Sequence, residues 1–292
     1  MMRYFISLDI GGTDIKYGII SEAGEVVVRD KTPTKIEKGV ARLIENVRCV
    51  VGGLLSAPYE IAGIGISTAG VVDPISGAIV YAGETMPGYA GTNFKRILAE
   101  SFPLPVIVHN DVNAAALGEG WMGAARGVDT YFCLTLGTGI GGAIVIDKKL
   151  YMGKNFKAAE IGYMGKSGQG NSIFEKRAAT SALVKKASLQ LKREDLTGED
   201  IFERAKVEQK YSVILDEWME EVAKGIADII CVLDPGLIII GGGVSRQKAF
   251  LSDKIREKLS LFLSKGFLET TTLTTAKCGN DAGMLGAVYG FL

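Results

Sequence analysis

The sequence has few cysteines, a single histidine and no long hydrophobic run. Its 292 residues include 4 Cys and 1 His, and the cysteines are scattered at Cys49, Cys133, Cys231 and Cys278. None of them forms a C-x-x-C pair, so we expect neither a disulfide framework nor a cysteine-based metal site. A stretch of about 20 apolar residues that could cross a bilayer is missing. The N-terminus enters the first predicted strand at once, which leaves no room for a signal peptide and predicts a cytoplasmic location.

An excess of charge is also lacking. Lys and Arg number 33, and Asp and Glu number 33, so the formal net charge is zero. This balance gives no electrostatic argument for a nucleic-acid partner or for an anionic membrane, and we expect neither. The chain is 47% hydrophobic, which is enough for a large core or for two domains.

A glycine turn near the N-terminus is the most informative motif. Residues 6–20 contain two apolar runs that flank Asp9, Gly11, Gly12 and Thr13. This pattern predicts a hairpin of strand, tight turn and strand. Exposed turn amides can cradle a phosphate, and a carboxylate at the end of the first strand can orient Mg²⁺. The alternative is an ordinary hairpin without a ligand.

The same pattern of apolar run, glycine turn and apolar run occurs again in residues 130–146. Gly137, Gly139 and Gly142 fit the G-x-G-x-x-G pattern of dinucleotide sites. That pattern has this meaning only where a helix follows the turn, and here an apolar strand follows. We therefore reject a dinucleotide site. Two phosphate-turn hairpins in one chain instead predict two similar lobes that face one nucleotide.

Hydrophobic periodicity predicts an α/β organisation. The repeat of the glycine-turn hairpin predicts a domain boundary near residue 112. Predicted strands are 4–10, 15–20, 25–30, 62–67, 106–108 and 237–240, and predicted helices are 40–55, 113–121, 213–233 and 281–292.

The segment His109-Asn110-Asp111-Val112-Asn113 lies at a strand end just before a predicted helix. Ligands bind at such strand ends in α/β sheets. Asp111 could take a proton from a sugar hydroxyl as it attacks phosphorus, with Asn110 and Asn113 orienting neighbouring groups. The alternative is that Asp111 or Asn113 only caps the helix. For His109, structural packing is favoured over a role as base.

Three other segments offer groups for a sugar. Glu160 and Glu175 could each bind a pair of hydroxyls, because one carboxylate accepts several hydrogen bonds. Glu175 could equally be a solvent-facing helix residue. The segments 67–73, a strand that runs into a glycine turn, and 87–94, a polar and aromatic loop, could line a cleft or be ordinary loops.

Taken together, these motifs resemble the ROK family of sugar kinases and repressors. The resemblance covers essentially the whole chain and rests on Asp9-Ile-Gly-Gly-Thr13 with Lys16, His109-Asn-Asp-Val-Asn113, Leu136-Gly-Thr-Gly-Ile-Gly-Gly142, Glu160-Ile-Gly-Tyr163, and Asp234-Pro-Gly with Gly241-Gly-Gly243. It implies the actin-like ATPase fold, with two ribonuclease-H-like lobes around a central cleft. The last helix would return to the first lobe, so the lobes would be 1–112 with about 281–292, and 113–280.

The resemblance also implies a reaction and a set of site residues. ATP with Mg²⁺ would phosphorylate a hydroxyl of a hexose, an N-acetylhexosamine or a glycoside, and the protein would be a homodimer. Asp111 would be the base, and Mg²⁺ would lie near Asp9, bound through phosphate or water. The sugar would contact Gly70, Asn93, Asn110, Glu160, Tyr163 and Glu175, and the nucleotide would contact Asp9, Gly11, Gly12, Thr13, Lys16, Thr138, Gly139 and Gly242.

The sequence departs from the family pattern in one segment. Many members carry His after Glu-x-Gly, where it touches the sugar and binds a structural zinc together with a cysteine cluster. Here that position is Tyr163, and residues 165–174 contain no cysteine. We therefore expect no zinc site and a substrate other than plain glucose, such as a glycoside or an N-acetylated hexose.

Three other functions compete with a sugar kinase. A repressor of the same family would need an N-terminal winged helix, and Asp9 stands too close to the start for one. A non-catalytic sugar-sensing regulator would not need Asp111, which is present. Another actin-like ATPase, such as a chaperone or filament protein, would lack the segment from His109 to Asn113.

Overall fold

The computed structural model describes residues 2–83, 86–165 and 172–292. The chain divides into two compact units. The first unit comprises Met1–Gly127, Met152–Lys157 and Asn280–Leu292, and the second comprises Val128–Tyr151 and Ala158–Gly279. Each unit has its own hydrophobic core.

The part of the first unit that precedes residue 127 contains both strands and helices. In chain order they are β1 (Tyr4–Ile10), β2 (Asp14–Ser21), β3 (Val26–Pro33), α1 (Val40–Leu55), β4 (Ile61–Thr68), β5 (Val71–Val72), β6 (Ile79–Tyr81), α2 (Phe94–Ala99), β7 (Val106–Asn110) and α3 (Asp111–Met122).

The second unit is richer in helix. Its elements are β8 (Tyr131–Leu136), β9 (Ile140–Ile146), β10 (Lys149–Leu150), α4 (Phe174–Ala178), α5 (Thr180–Leu191), α6 (Gly198–Ala205), α7 (Gln209–Leu233), β11 (Leu237–Gly241), α8 (Ala249–Leu259), α9 (Lys265–Thr270) and β12 (Thr272–Thr275). The last helix, α10 (Ala282–Val288), belongs to the first unit. In the described part of the chain, no helix has the length and apolar character needed to cross a membrane.

The two units repeat one sheet topology. The strand order is β3-β2-β1-β4-β7 in the first sheet and β10-β9-β8-β11-β12 in the second. In each sheet an antiparallel hairpin and its following strand lie on one side, and parallel strands join on the other. The predicted α/β class is therefore confirmed, and the doubled topology is the one that the ribonuclease-H-like repeat requires.

Both glycine-turn hairpins are confirmed. β1 pairs with β2 so that Asp9 stands opposite Lys16, and β8 pairs with β9 so that Leu136 stands opposite Ile140. A strand follows the second turn, as predicted, which is why the glycine pattern there does not form a dinucleotide site.

Helix positions agree with the predictions, but some ends differ. The helix predicted at 113–121 begins at Asp111, because the Asn110 side chain caps it by accepting hydrogen bonds from the backbone N–H groups of Val112 and Asn113. The alternative interpretation of the sequence, in which Asp111 or Asn113 caps this helix, is therefore not what the structure has, since Asn110 is the cap. The helix predicted at 213–233 begins at Gln209 and ends before Asp234, whose left-handed backbone stops it.

The first unit extends to Gly127, whereas the sequence predicted a boundary near residue 112. The reason is the packing of α3 on α10. A Cβ atom added to Gly286 would lie 1.6 Å from the carbonyl oxygen of Ala114, and one added to Gly118 would lie 2.3 Å from that of Ala282. The two helix backbones therefore touch directly, and α3 stays with the unit that contains α10.

This contact predicts a strong effect of one methyl group. Gly286→Ala should lower the free energy of unfolding by about 1–3 kcal/mol, because overpacking outweighs the gain in helix propensity. Gly52→Ala in α1 is the matched control, since nothing lies within 4 Å of its added Cβ. That control should raise stability by up to about 1 kcal/mol. Urea unfolding measures both, and equal stability of the two variants would contradict the close helix contact.

Candidate active site

A row of polar side chains crosses the first sheet at one level. The strand register places Lys16 opposite Asp9, Asp9 opposite Ser67, and Ser67 opposite His109. The Ser67 hydroxyl donates to Asp9 Oδ1 at 2.7 Å, and Lys16 Nζ lies 3.4 Å from Asp9 Oδ2. The carboxylate at the end of β1 is therefore fixed by a hydroxyl on one side and a cation on the other.

The glycine turn next to Asp9 is held by Thr34, the residue that follows β3. The Thr34 hydroxyl donates to the carbonyl of Gly11 at 2.7 Å, and the Thr34 amide donates to the carbonyl of Thr13 at 2.8 Å. Gly12 and Thr13 themselves are exposed. The turn is thus supported from behind while its tip faces outward.

Asn110 links three parts of the first unit. Its amide nitrogen donates to the carbonyl of Gly70 and to Asp111 Oδ1, both at 2.9 Å. Its amide oxygen accepts from the amides of Val112 at 3.0 Å and Asn113 at 3.1 Å. An asparagine side chain offers two donor and two acceptor positions, and all four are used here. Asn110 therefore holds Asp111 and the Gly70 turn in place.

Asp111 occupies the first position of α3. Its Oδ1 atom also accepts from the amide of Val112 at 2.9 Å. The positive end of the helix dipole favours a negative charge at this position. Gly70 has φ +96°, and an added Cβ there would lie 2.6 Å from the carbonyl oxygen of Tyr81. Only glycine fits this turn without strain.

A buried tyrosine lies within electrostatic reach of Asp111. The Tyr89 hydroxyl is hydrogen-bonded to the Thr68 hydroxyl at 2.6 Å. Burial raises the pKa of Tyr89, the Thr68 bond opposes this shift, and the negative charge of Asp111 adds to it. Tyr89 and Thr68 are therefore uncharged neighbours of the acidic group.

Asn93 has a structural contact in this arrangement. It is the N-cap of α2, where its Oδ1 atom accepts from the amide of Arg96 at 2.9 Å. Its predicted contact with a sugar stays a prediction.

The second glycine turn is held by the start of α5. The Ser181 hydroxyl donates to the carbonyl of Thr138 at 2.6 Å, and the Thr180 hydroxyl donates to that of Leu136 at 3.2 Å. Gly242 closes the other side, since a Cβ added there would lie 2.2 Å from the Leu136 carbonyl oxygen. Thr138 is exposed at the tip. This turn, like the first, is supported from behind.

Glu175 contacts the second turn directly. Its Oε2 atom accepts from the backbone amide of Ile140 at 3.0 Å. A Cβ atom added to Gly139 would lie 2.5 Å from the same oxygen, and one added to Gly162 would lie 3.4 Å from it. Glu175 is therefore not a purely solvent-facing helix residue. Its carboxylate lies between the phosphate-type turn and the segment of Glu160 and Tyr163.

Glu160 precedes a short 3-10 turn, Ile161–Tyr163, and Tyr163 is its last residue. The turn packs on β9, because a Cβ added to Gly162 would lie 2.9 Å from the carbonyl oxygen of Ile140. Glu160 is exposed, and 61% of Tyr163 is exposed. Residues 166–171, which include most of the segment where the sequence shows no cysteine, lie outside the described residues.

His109 is uncharged at neutral pH. Burial lowers its pKa to about 4. In the part of the chain that is described, its Nε2 atom is buried without a hydrogen-bond partner. These observations favour packing, in agreement with the sequence interpretation. Among the described residues, no group of three or more His, Cys, Asp or Glu side chains is arranged to hold a metal ion.

Ser67, Tyr89 and Ser181 are not among the site residues that the sequence predicts. Ser67 and Tyr89 lie in the segments 67–73 and 87–94, for which the resemblance to the family implies only Gly70 and Asn93. Ser181 had no motif of its own. Its contact with Thr138 spans 43 positions in the chain, so only the fold reveals it.

The whole chain resembles known sugar kinases. The ROK family model matches residues 5–291. The β-glucoside kinase of Listeria innocua is 31% identical over 294 residues, which cover 98% of this chain and 96% of that protein. The glucokinase of Halalkalibacterium halodurans is 31% identical over 310 residues, covering 97% and 93%. The crystal structure of a Streptomyces griseus ROK glucokinase with glucose and AMPPNP has a TM-score of 0.81 at 29% identity, covering 97% of each chain.

The low pKa of His109 predicts a pH dependence of stability. In the unfolded chain the His109 imidazole has a pKa of about 6.5, so it binds a proton below that pH, whereas in the native protein it stays neutral. The free energy of unfolding therefore falls as the pH drops towards 4. Between pH 7 and pH 5 the loss from this group should be about 2 kcal/mol. Urea unfolding of wild type and His109→Gln at both pH values isolates it, because all other groups are shared. Equal pH slopes would show that His109 is not buried in its neutral form.

Proposed function

This chain belongs to the ROK family, and on that premise we propose that it is an ATP-dependent sugar kinase. It transfers the γ-phosphoryl group of ATP to a hydroxyl of a hexose, an N-acetylhexosamine or a glycoside. Relatives that match almost the full chain are named β-glucoside kinase and glucokinase. This supports a kinase over the alternative, a non-catalytic sugar-sensing regulator.

The observation that carries the proposal is the position of Asp111. Its carboxylate begins α3 and is held by the Asn110 amide, which is itself tied to the Gly70 turn. A general base must be held within hydrogen-bond reach of the proton that it removes. Asp111 would accept the proton of the attacking sugar hydroxyl. The new bond would join that oxygen to the γ-phosphorus, and ADP would leave with the electrons of the broken bond.

The two glycine turns would bind the phosphates. Their tips, Gly12 with Thr13 and Thr138, are exposed, whereas their backbones are fixed from behind by Thr34 and Ser181. Phosphoryl transfer depends on positioning and electrostatic stabilisation more than on covalent catalysis. Turns that are fixed from behind and exposed at the tip suit that requirement. Lys16, Gly11, Gly139 and Gly242 would complete the nucleotide side.

Asp9 is suited to hold Mg²⁺ together with the nucleotide. Its side chain is 19% exposed and is fixed by Ser67 and Lys16. Magnesium is commonly bound through one or two carboxylates, with phosphate oxygens and water as the other ligands. A single oriented carboxylate therefore fits, and Asp9 would bind the ion through phosphate or water. When bound, Mg²⁺ neutralises charge on the phosphates.

The sugar would be bound by groups from several segments. Glu160 and Glu175 would each accept hydrogen bonds from hydroxyls, and Tyr163 would shape the pocket in place of the imidazole found in many relatives. Gly70 and Asn93 would also contact the sugar. Asn110 would act mainly by orienting Asp111, because its four polar positions are already used. By analogy with the family, the protein would act as a homodimer.

Removal of the base predicts a large loss of turnover. Asp111→Asn should reduce kcat by about 10²–10⁴-fold, the typical contribution of a general base. A coupled ATPase assay with glucose, N-acetylmannosamine, fructose and β-glucosides first identifies the best sugar for the wild type. The variant is then measured at saturating ATP with that sugar.

Asp129→Asn serves as the control, because this exposed carboxylate pairs with Lys148 on the surface. It should retain wild-type turnover. If Asp111→Asn also does, Asp111 is not the base. If the wild type binds a sugar but phosphorylates none, the sensing regulator is the correct function.

The two glutamates should differ in their effect on ATP. Glu160→Gln should raise the sugar KM alone, by about 10- to 100-fold for a charged hydrogen bond. Glu175→Ala should raise the KM of both sugar and ATP, since the Ile140 amide loses its acceptor. Glu175→Gln should restore the ATP KM but not the sugar KM, because its neutral amide still accepts from Ile140. Steady-state kinetics measure both constants, and an ATP effect confined to Glu160 would reverse the two assignments.

A further inference from the structure

One arginine side chain joins both ends of the segment that follows Tyr163. Arg177 Nη2 donates to the carbonyl of Gly165 at 2.9 Å, and Nε donates to the carbonyl of Ser172 at 3.2 Å. Its remaining terminal nitrogen, Nη1, donates to Glu221 at 2.5 Å. Three directions of the guanidinium are therefore used at once.

The arginine lies on a helix that is anchored independently. Phe174 packs so closely on α7 that a Cβ added to Gly225 would lie 2.2 Å from its ring. Trp218 Nε1 donates to the carbonyls of Ala178 and Ala179 at 3.0 and 3.1 Å. The short helix α4 is thus fixed to α7 at both ends without Arg177. Arg177 is therefore not needed to anchor α4, and its side chain instead bonds the carbonyls of Gly165 and Ser172.

The acidic partner is held in its charged form. The side chains of Arg177 and Glu221 are only 18% and 25% exposed. Burial acts to raise the pKa of Glu221, but hydrogen bonds and charges from Lys224 and Arg177 outweigh it and lower that pKa. A half-buried, charge-balanced pair of this kind keeps the guanidinium in one orientation, so that its other two N–H directions point at fixed carbonyls.

The sequence of this segment offers no strong metal ligand. Residues 165–174 contain neither cysteine nor histidine, so their side chains offer no thiolate or imidazole to a metal. Gly165 has a left-handed backbone with φ +54°, and the backbone amide of Phe174 donates to the carbonyl of Met164 at 2.8 Å. Among the described residues, this backbone bond and the Arg177 side chain both join the two ends of the segment.

We propose that Arg177 is a positioning residue for the sugar, acting through Glu160 and Tyr163. By fixing Gly165 to α4 and α7, it holds the turn Ile161–Tyr163, which ends two residues earlier. This inference rests on the proposed sugar site. It assigns specificity to the position of the turn Ile161–Tyr163 as well as to the residues that touch the sugar.

Arg177→Lys tests the proposal without removing the charge. Lysine can still pair with Glu221, but its single ammonium cannot reach two carbonyls and a carboxylate in a planar fork. We expect the Tm to stay close to that of the wild type and the sugar Kd to rise about 10- to 100-fold, as for the loss of a charged hydrogen bond. The Kd of ATP should be unchanged, because Glu175 remains on the anchored helix.

Lys224→Met is the matched control. Lys224 also pairs with Glu221, at 2.7 Å, and its other ion-pair partner is Glu220, at 3.2 Å, so both partners lie on α7. Titration calorimetry uses the panel sugar that binds the wild type most tightly. For Lys224→Met the sugar Kd should stay within about twofold of the wild-type value, well below the tenfold change that corresponds to about 1.4 kcal/mol. A sugar Kd equally unchanged in Arg177→Lys would overturn the proposal.

A double-mutant cycle tests the route of the effect. If Arg177 acts through Glu160, the sugar Kd of the Arg177→Lys, Glu160→Gln double variant should equal that of Glu160→Gln alone. Fully additive effects would overturn the proposal. Turnover of the wild type tests the proposed function separately, since calorimetry detects a change in sugar affinity whether or not phosphate is transferred.

Discussion

The arrangement of the first unit depends on the side-chain amide of Asn110. This one group caps α3 and ties both Asp111 and the Gly70 turn to the end of β7, and these bonds use all four of its donor and acceptor positions. Asn110 is partly buried, and its polar atoms are all satisfied, which avoids the free-energy cost of an unpaired donor or acceptor. The cap therefore fixes the direction of α3, and the direct contact of α3 with α10 then fixes the C-terminal helix.

In the second unit, the long helix α7 holds the candidate site residues in place. These residues lie on turns and on a five-residue helix, which has too few internal hydrogen bonds to be stable alone. Stability comes instead from α7, which contacts α4 through Trp218, Glu221 and Gly225 on one face. Residues at these spacings share a helix face. A long buried helix thus serves as the rigid base for carboxylates that stand on irregular backbone.

The sequence predicted those features that local pattern controls. Both hairpins, the long helices and the α/β class follow from periodicity and glycine turns within short windows. Contacts between distant residues were not accessible in this way. Glu175 bonds Ile140 across 35 positions, and the first unit extends to Gly127 because α3 meets a helix from the far end of the chain. The choice of Asn110 over Asp111 as cap depended on side-chain geometry, which residue type alone leaves open, since both are good caps.

Three carboxylates in this chain carry the same functional group but face different donors. Asp9 faces a lysine and a serine hydroxyl, Asp111 faces a helix N-terminus and an asparagine amide, and Glu175 faces the amide of a glycine turn. Environment decides the chemical role of a carboxylate. Asp9, beside a cation, suits the binding of metal and phosphate. Asp111, oriented at a helix start, suits proton transfer. Glu175, bound to a turn amide, links α4 to the second glycine turn. The division of labour proposed for the three acids therefore follows from their neighbours, and motif positions alone would not distinguish Glu175 from Glu160.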